Sequence, residues 1–326
     1  MGRLLPFILT ITLSGQVYAA EQSVLESLMR MQNALHDLNY QGTLIYFQNG
    51  TVQPMRVLHQ STESGEREKL INLNGEPIEI IRADDIVTCY WPDKKEATVG
   101  KRHHDWNILS RLVKNDFSSL QKLYEFVEES NDRIAGHTTR RILIKPRDQL
   151  RYGYRLWLDS DTSLLLKSAL LGVNGQAIEQ AMFTDISVVD RIPDESILPS
   201  FSREQFNWLE QGGVSESQMD NNKSWKFEAL PEGFTISAHD AKKLPEDERP
   251  TDYWIATDGL ATVSVYAEKV ADREETFMGF SHSGAMNIFG LPVDGLQITA
   301  VGEVPEHTVE MIARSISRHY VEASND

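Results

Sequence analysis

In the stretch GYRLWLDSDTSLLLKSALLGVNGQ (residues 153–176), apolar residues fall on both faces of two predicted strands. Leu156 and Leu158 point one way and Trp157 the other; in the second strand Leu164, Leu166 and Leu170 oppose Leu165, Ala169 and Leu171. A sheet with one solvated face would alternate apolar and polar residues. The second apolar face therefore needs a cover: a helix of the same chain, a partner or an apolar ligand. YQGTLIYF repeats the property, with Tyr40, Leu44 and Tyr46 alternating with Ile45 and Phe47.

Around these strands the pattern predicts a long antiparallel meander with few helices over residues 40–190. Asn49-Gly50, Asn74-Gly75 and Asn174-Gly175 are hairpin signals, since both residue types tolerate positive φ. AIEQAMFTDISVV puts Ile178, Met182, Ile186 and Val188 on one face. DWNILSRLV and SSLQKLYEF read as helical and RRILIK as extended. Before the meander, Ser23 and Glu26 form a capping box, and Val24, Leu28, Met31, Leu35 and Leu38 line one helical face. After it, Pro193 and Pro199 break the pattern, and the polar, glycine-containing run of residues 211–222 reads as a linker. A second module starts near Trp225, with strands in FTISAHD, DYWIAT, ATVSVYAE and LQITAVGEV. Its last helix opens at Pro305 and buries Val309, Ile312, Ala313 and Ile316, with Arg314 and Arg318 near its C-terminal end.

Composition adds the compartment. Arg3, the apolar run Leu4–Leu13 and the small residues around Val17–Ala19 form a secretory leader, expected to be cut after Ala19 and too short to span a bilayer. An exported chain whose single cysteine is Cys89 has no internal disulfide, so its stability comes from its core. Cys89 reads as a small buried side chain. The net charge is −16, distributed unevenly. Residues 94–155 carry 14 Lys and Arg against 8 Asp and Glu, a balance of +6; residues 200–326 carry 10 against 22, a balance of −12. An acidic exported chain is a poor nucleic-acid binder.

Enzyme signatures are weak. GFSHSG lacks the glycine a nucleophile elbow needs at its fifth position, where Ser283 stands, and reads as a polar loop. His103 and His104 are adjacent, which suits no shared metal face, and His307 and Glu310 are ordinary helix neighbours. There is no phosphate loop and no HExxH helix. No catalytic residue, metal or cofactor is expected, and a binding or regulatory protein is the predicted class. A sheet apolar on both faces packs one face on helices and curls the other inward, where side chains fill it or an apolar ligand occupies it.

YQGTLIY, GEREKLINLNGEPIEIIR, PRDQLRYGYRLWLDSDTSLLLKSALL, DGLATVSVYAE and VGEVPEHTVEMIA occur in order and together resemble the periplasmic sigma-E regulator family, RseB/MucB, over nearly the whole chain after the leader. Ser163 stands where the family pattern has Gly, and His137 where it has Arg. The resemblance implies a β-dominated α+β protein. Its first domain would be a half-open antiparallel barrel with helices, like the lipoprotein carriers LolA and LolB, followed by a small α+β C-terminal domain. The boundaries so implied are a leader at 1–19, a lipid-sensing domain at 20–200, a linker at 201–222 and a client-binding domain at 223–320. It further implies a periplasmic negative regulator that binds the periplasmic part of a membrane-spanning anti-sigma factor (RseA/MucA) and protects it from site-1 proteolysis. Lipopolysaccharide or another acylated signal would release it. The alternative function on this fold is a periplasmic lipid or lipoprotein carrier, and a homo-oligomer is compatible with either. The expected lipid wall is Tyr46, Leu156, Leu158, Leu164 and Leu166, with Trp157 the marker if the other parity faces inward. Arg140, Arg141, Lys145, Arg147, Arg151 and Arg155 form either a solvated strand face or a basic rim for lipid phosphates or an acidic client.

Overall fold

The computed structural model describes residues 13–63, 65–84, 86–101, 116–210, 224–244, 247–270 and 276–319. His103, His104, the DWNILSRLV helix and the 211–222 linker lie outside them. Helix α1 spans Leu13–Asp37 and buries Val24, Leu28, Met31 and Leu35, one face at helical spacing. It does not start at the capping box. The helix runs through Ser23 from Leu13, within the segment expected to be a leader, and the Ser27 hydroxyl donates back to the Ser23 carbonyl at 2.9 Å, as a mid-helix serine does.

Strands β1 (Asn39–Gln48), β2 (Thr51–Thr62), β3 (Gly65–Asn72), β4 (Glu79–Ala83), β5 (Ile86–Trp91) and β6 (Glu96–Lys101) form one antiparallel meander. A second contains β7 (Tyr124–Ile134), β8 (His137–Pro146), β9 (Gly153–Asp159), β10 (Leu165–Leu171) and β11 (Ala177–Val189). The SSLQKLYEF run is therefore not one helix: a 3-10 turn at Ser119–Lys122 gives way to β7. β1 pairs with β11 and joins the two meanders; β12 (Asn207–Glu210) adds in parallel to β6. The order is β12-β6-β5-β4-β3-β2-β1-β11-β10-β9-β8-β7, a large sheet that does not close. It does curl. Strands four places apart in a flat sheet lie about 19 Å apart, yet Cα atoms of β7 and β11 come within 8 Å.

Two bulges set which residues face inward. In β11 the register slips opposite Thr43 and Leu44, so Ile186 faces Gly42 while Phe183 faces Leu44. Met182 is thereby turned to the face opposite Ile186, and the single-face reading of AIEQAMFTDISVV holds only on either side of the slip. In β10 the slip lies between Leu165 and Lys167. The inner face carries Tyr40, Leu44, Val57, Leu70, Phe126, Ile142, Ile144, Tyr154 and Leu156, which share one core with α1.

The outer face of β2–β5 is covered by the chain leaving β11. Ile192 and Ile197, the latter in the short helix α2 (Asp194–Ile197), pack with Leu58. Beside them Lys69 and Glu79 form an ion pair at 3.3 Å, both about 5 % exposed. Its hydrogen bonds are completed by Leu198 and Ser200: Lys69 donates to the Leu198 carbonyl (2.7 Å) and the Ser200 hydroxyl (2.9 Å), and Glu79 accepts from the Ser200 amide (2.7 Å).

The second domain opens with β13 (Ser224–Phe227), followed by β14 (Thr235–Leu244), β15 (Asp247–Thr257), β16 (Thr262–Lys269), β17 (Gly279–Ser283), β18 (Met286–Val293) and β19 (Leu296–Gly302). Helix α3 (Glu306–Ser315) and β20 (Ile316–His319) close it. β14–β19 form an antiparallel sheet ordered β14-β15-β16-β19-β18-β17, and β13 pairs with β20. Val309, Ile312 and Ala313 of α3 are wholly buried in its core, as the stripe predicts. GFSHSG is not a polar loop: Gly279–Ser283 is edge strand β17, and Gly284 (φ 62°) turns the chain into β18.

Candidate functional site

The expected wall residues sit deep. Leu156, Leu158, Leu164 and Leu166 are at most 2 % exposed, in the core that also holds Val24, Leu28 and Met31 of α1. The β10 bulge also brings Leu165 opposite Leu158, so it shares the inner face and is equally buried. Tyr46 is half-buried on the same face, and its hydroxyl donates to Glu179 Oε2 at 2.5 Å. Cys89 faces inward from β5 beside Ile80; burial pushes its thiol pKa up.

Trp157 lies on the outer face and is nonetheless buried. Its cover is charged. Lys167, its register partner, holds its ammonium 4.5 Å from the ring centre, and the indole N–H donates to Asp132 at 3.0 Å. That bond, with the Arg133 amide, lowers the Asp132 pKa; burial lowers that of Lys167.

Half of the expected basic rim, Arg140, Arg141 and Arg155, meets acids of edge strand β7. Arg141 lies 2.7 Å from Glu129, and Arg155 donates to both oxygens of Glu129 at 2.8 and 3.2 Å. Arg140 faces inward, bonding Glu128 (2.9 Å) and the Ser27 hydroxyl of α1 (2.9 Å). Arg147 donates to the Gln121 carbonyl at 3.0 Å, and Lys145 is exposed. Arg151 stands apart from these. It is buried at the junction between the domains, over the rings of Tyr124 and Phe234.

Several groups that sequence reasoning did not single out meet at this junction. Arg151 donates to Asp148 (3.0 and 2.9 Å), to Asp258 (2.5 Å) and to the Glu232 carbonyl (2.6 Å). Burial works against the Arg151 charge, but Asp148 and Asp258 outweigh it and raise its pKa. The Tyr124 hydroxyl also donates to Asp258 (2.9 Å), and burial, reinforced by Asp258, pushes that phenol well up. Asn287 donates to the Tyr152 hydroxyl (3.0 Å) and Thr308 to the Leu150 carbonyl (2.7 Å). A hollow of ≈ 360 Å³ elsewhere, lined by Asn39, Gln60, Arg67, Asp190 and Arg191 among others, has polar walls unsuited to an acyl chain. Among the described residues, none form a cluster that could hold a metal ion, and no helix is long and apolar enough to cross a membrane.

The model of the MucB/RseB N-terminal domain matches residues 23–201, and that of the MucB/RseB C-terminal domain matches residues 219–317. The chain belongs to the MucB/RseB family. Among its relatives, the sigma-E factor regulatory protein RseB of Haemophilus influenzae is 26% identical, covering 94% of this chain and 95% of that protein. The sigma factor AlgU regulatory protein MucB of Pseudomonas aeruginosa is 30% identical, covering 89% of each. A solved complex of Pseudomonas aeruginosa MucA and MucB matches with a TM-score of 0.72 at 27% identity, over 90% of this chain and 98% of that one. The MucB/RseB architecture thus extends through both domains of this chain.

Proposed function

We propose that this chain is a periplasmic negative regulator of an envelope-stress sigma factor. It binds the periplasmic part of a membrane-spanning anti-sigma factor and shields it from the first protease cut. It lets go when lipopolysaccharide or another acylated signal enters the first domain. The observation that carries this reading is the end-to-end likeness to MucB solved with MucA, across both domains. A carrier of lipids would need only the large sheet; the second domain, acidic and joined to the first through Asp258, gives a regulator a further surface for its client.

The proposed acyl wall is the inner face around Tyr46, Leu156, Leu158, Leu164 and Leu166. Each buried methylene of a chain contributes about 0.8 kcal/mol, and Lys145 is the exposed cation nearest in sequence to the paired arginines. The test is a protection assay with the full chain, the purified periplasmic segment of the anti-sigma factor and the site-1 protease. The chain is expected to block cleavage, and lipopolysaccharide to restore it. Cleavage at an unchanged rate with the chain in excess would rule the reading out.

A further inference from the structure

Two turns of the second domain end inside the core of the first. Leu260, between β15 and β16, and Ala285, between β17 and β18, are wholly buried and belong to the cluster of α1 and the large sheet, not to their own domain's core. A carboxylate fixes each turn. Asp258 Oδ1 accepts from the amides of Leu260 (2.9 Å) and Ala261 (2.7 Å), while Oδ2 accepts from Tyr124 and Arg151 across the junction. Glu179 accepts from the Ala285 amide at 3.2 Å and, from its own domain, from Tyr46 and Gln48. Leu170, Glu179 and Gln48 form one cross-strand row of the inner face, with Tyr154 next in the row. Ala285 therefore stands at one end of the apolar face that carries Leu156 and Leu158.

The fastenings are arranged so that parting the domains strands no charge. Arg151 keeps its two bonds to Asp148, Asp258 keeps the two amides of its own turn, and Glu179 keeps Tyr46 and Gln48. A buried ion pair that loses its partner outright is strongly destabilised; here each member retains partners on its own side.

We infer that the docked second domain stoppers the first, so that an acyl chain and the 258–261 and 284–287 turns compete for one apolar volume. The inference rests on the lipid reading proposed above. A close-packed interior admits an added chain only where something leaves it, and Leu260 and Ala285 are the side chains that another body of the molecule can withdraw. A ligand that binds only the undocked form meets an affinity lowered by the fraction undocked.

The experiment uses the full chain and 11-(dansylamino)undecanoic acid as the acyl probe. Hydrogen exchange is read on peptides covering residues 258–261 and 284–287, with and without probe. Saturating probe is expected to strip protection from both turns. Asp258→Asn keeps an acceptor for the Leu260 and Ala261 amides but removes the charge facing Arg151. Leu260→Ala shortens the stopper. Each is expected to bind the probe at least about tenfold more tightly. Probe binding to the unaltered chain with both turns still protected, or with one Kd across all three proteins, overturns the inference and leaves the lipid reading standing. No probe binding in any of the three overturns both.

Discussion

Ser163 sits in the turn between β9 and β10 at φ 63°, a left-handed conformation that a side chain disfavours by roughly 1–2 kcal/mol. Its amide donates to the Asp159 carbonyl (2.9 Å), and buried Asp159 also accepts from the Asp161 and Thr162 amides, so neighbouring bonds hold the strain in place. Ser163→Gly is therefore expected to stabilise the chain by about 1 kcal/mol, seen as a higher urea midpoint at unchanged slope. Turn chemistry was readable in part: at Asn74-Gly75 and Asn174-Gly175 only the glycine takes positive φ, and the connection is longer than two residues. Asn49 and Gly50 both take positive φ, as the dipeptide predicts. Ala135 and Gly136 make the same turn at φ 48° and 89° without such a signal, because the strands on either side dictate it. Asp258 was unreadable for a related reason. Asp-Gly reads as a solvated turn, and only the docking of a second domain makes this one buried.

At the scale of elements, the seam between β1 and β11 tolerates no side chain at Gly42. A Cβ there would run into the Asp185 carbonyl and crowd the Ile186 Cα at 3.0 Å, both backbone atoms of the facing strand. Gly42→Ala is expected to cost ~2 kcal/mol or more, with amide protection lost first along β1 and β11. On the outer face, Lys69→Met leaves Glu79 buried beside the Ser200 amide alone and is expected to destabilise by about 3 kcal/mol or more. Adding Glu79→Leu should recover most of that loss in thermal melts; a double variant as weak as the single one would mean the pair contributes by shape and not by charge. Many of the strands followed from period-two runs and hairpin residues, but β7 and β17 did not, and neither did the pairing of β1 with β11, which joins segments far apart in sequence. The strands' inner and outer parity was not legible either, because the bulges near Thr184 and Leu166 each reverse it and neither residue type marks a bulge. The cover over Trp157 escaped the pattern too. Lys167 counts as polar in a hydropathy scan, yet it lays its stem and ammonium over an indole.

Across the whole molecule, buried phenols set the alkaline limit. Tyr253, its hydroxyl 3.2 Å from Ser264 Oγ, is pushed up to about 12 by burial; Tyr40, Tyr90, Tyr124, Tyr152 and Tyr266 move in the same direction for the same first cause. In the unfolded chain each titrates near pH 10. Between pH 10 and about 12 the folded chain holds protons that the unfolded chain has lost, so stability present below pH 10 declines as pH rises through that window. Ultraviolet titration should show these tyrosines ionising late and together with unfolding. Ionisation near pH 10 with circular dichroism unchanged would contradict the burial. The two-domain outline and the β-rich class were legible from composition breaks and periodicity. The junction was not, since Arg151, Glu179 and Asp258 look like surface charges until the chain is folded.

The pairing of β1 with β11 also has a consequence in time. Asn39 meets Val189, so the seam on which the large sheet depends joins residues 150 positions apart. Closing so long a loop is entropically uphill until many contacts repay it at once, and folding slows as such distant pairings dominate. A chain threaded through a membrane from its N-terminus would carry β1 and its hairpin partner β2 out first and then leave the other edge of β1 unmatched until β11 has followed. In that interval β1 presents the apolar residues Leu44, Ile45, Tyr46 and Phe47. The nascent protein's hazard is thus one of delay, and a chaperone that shelters the first strand would act on the slowest moment of its life.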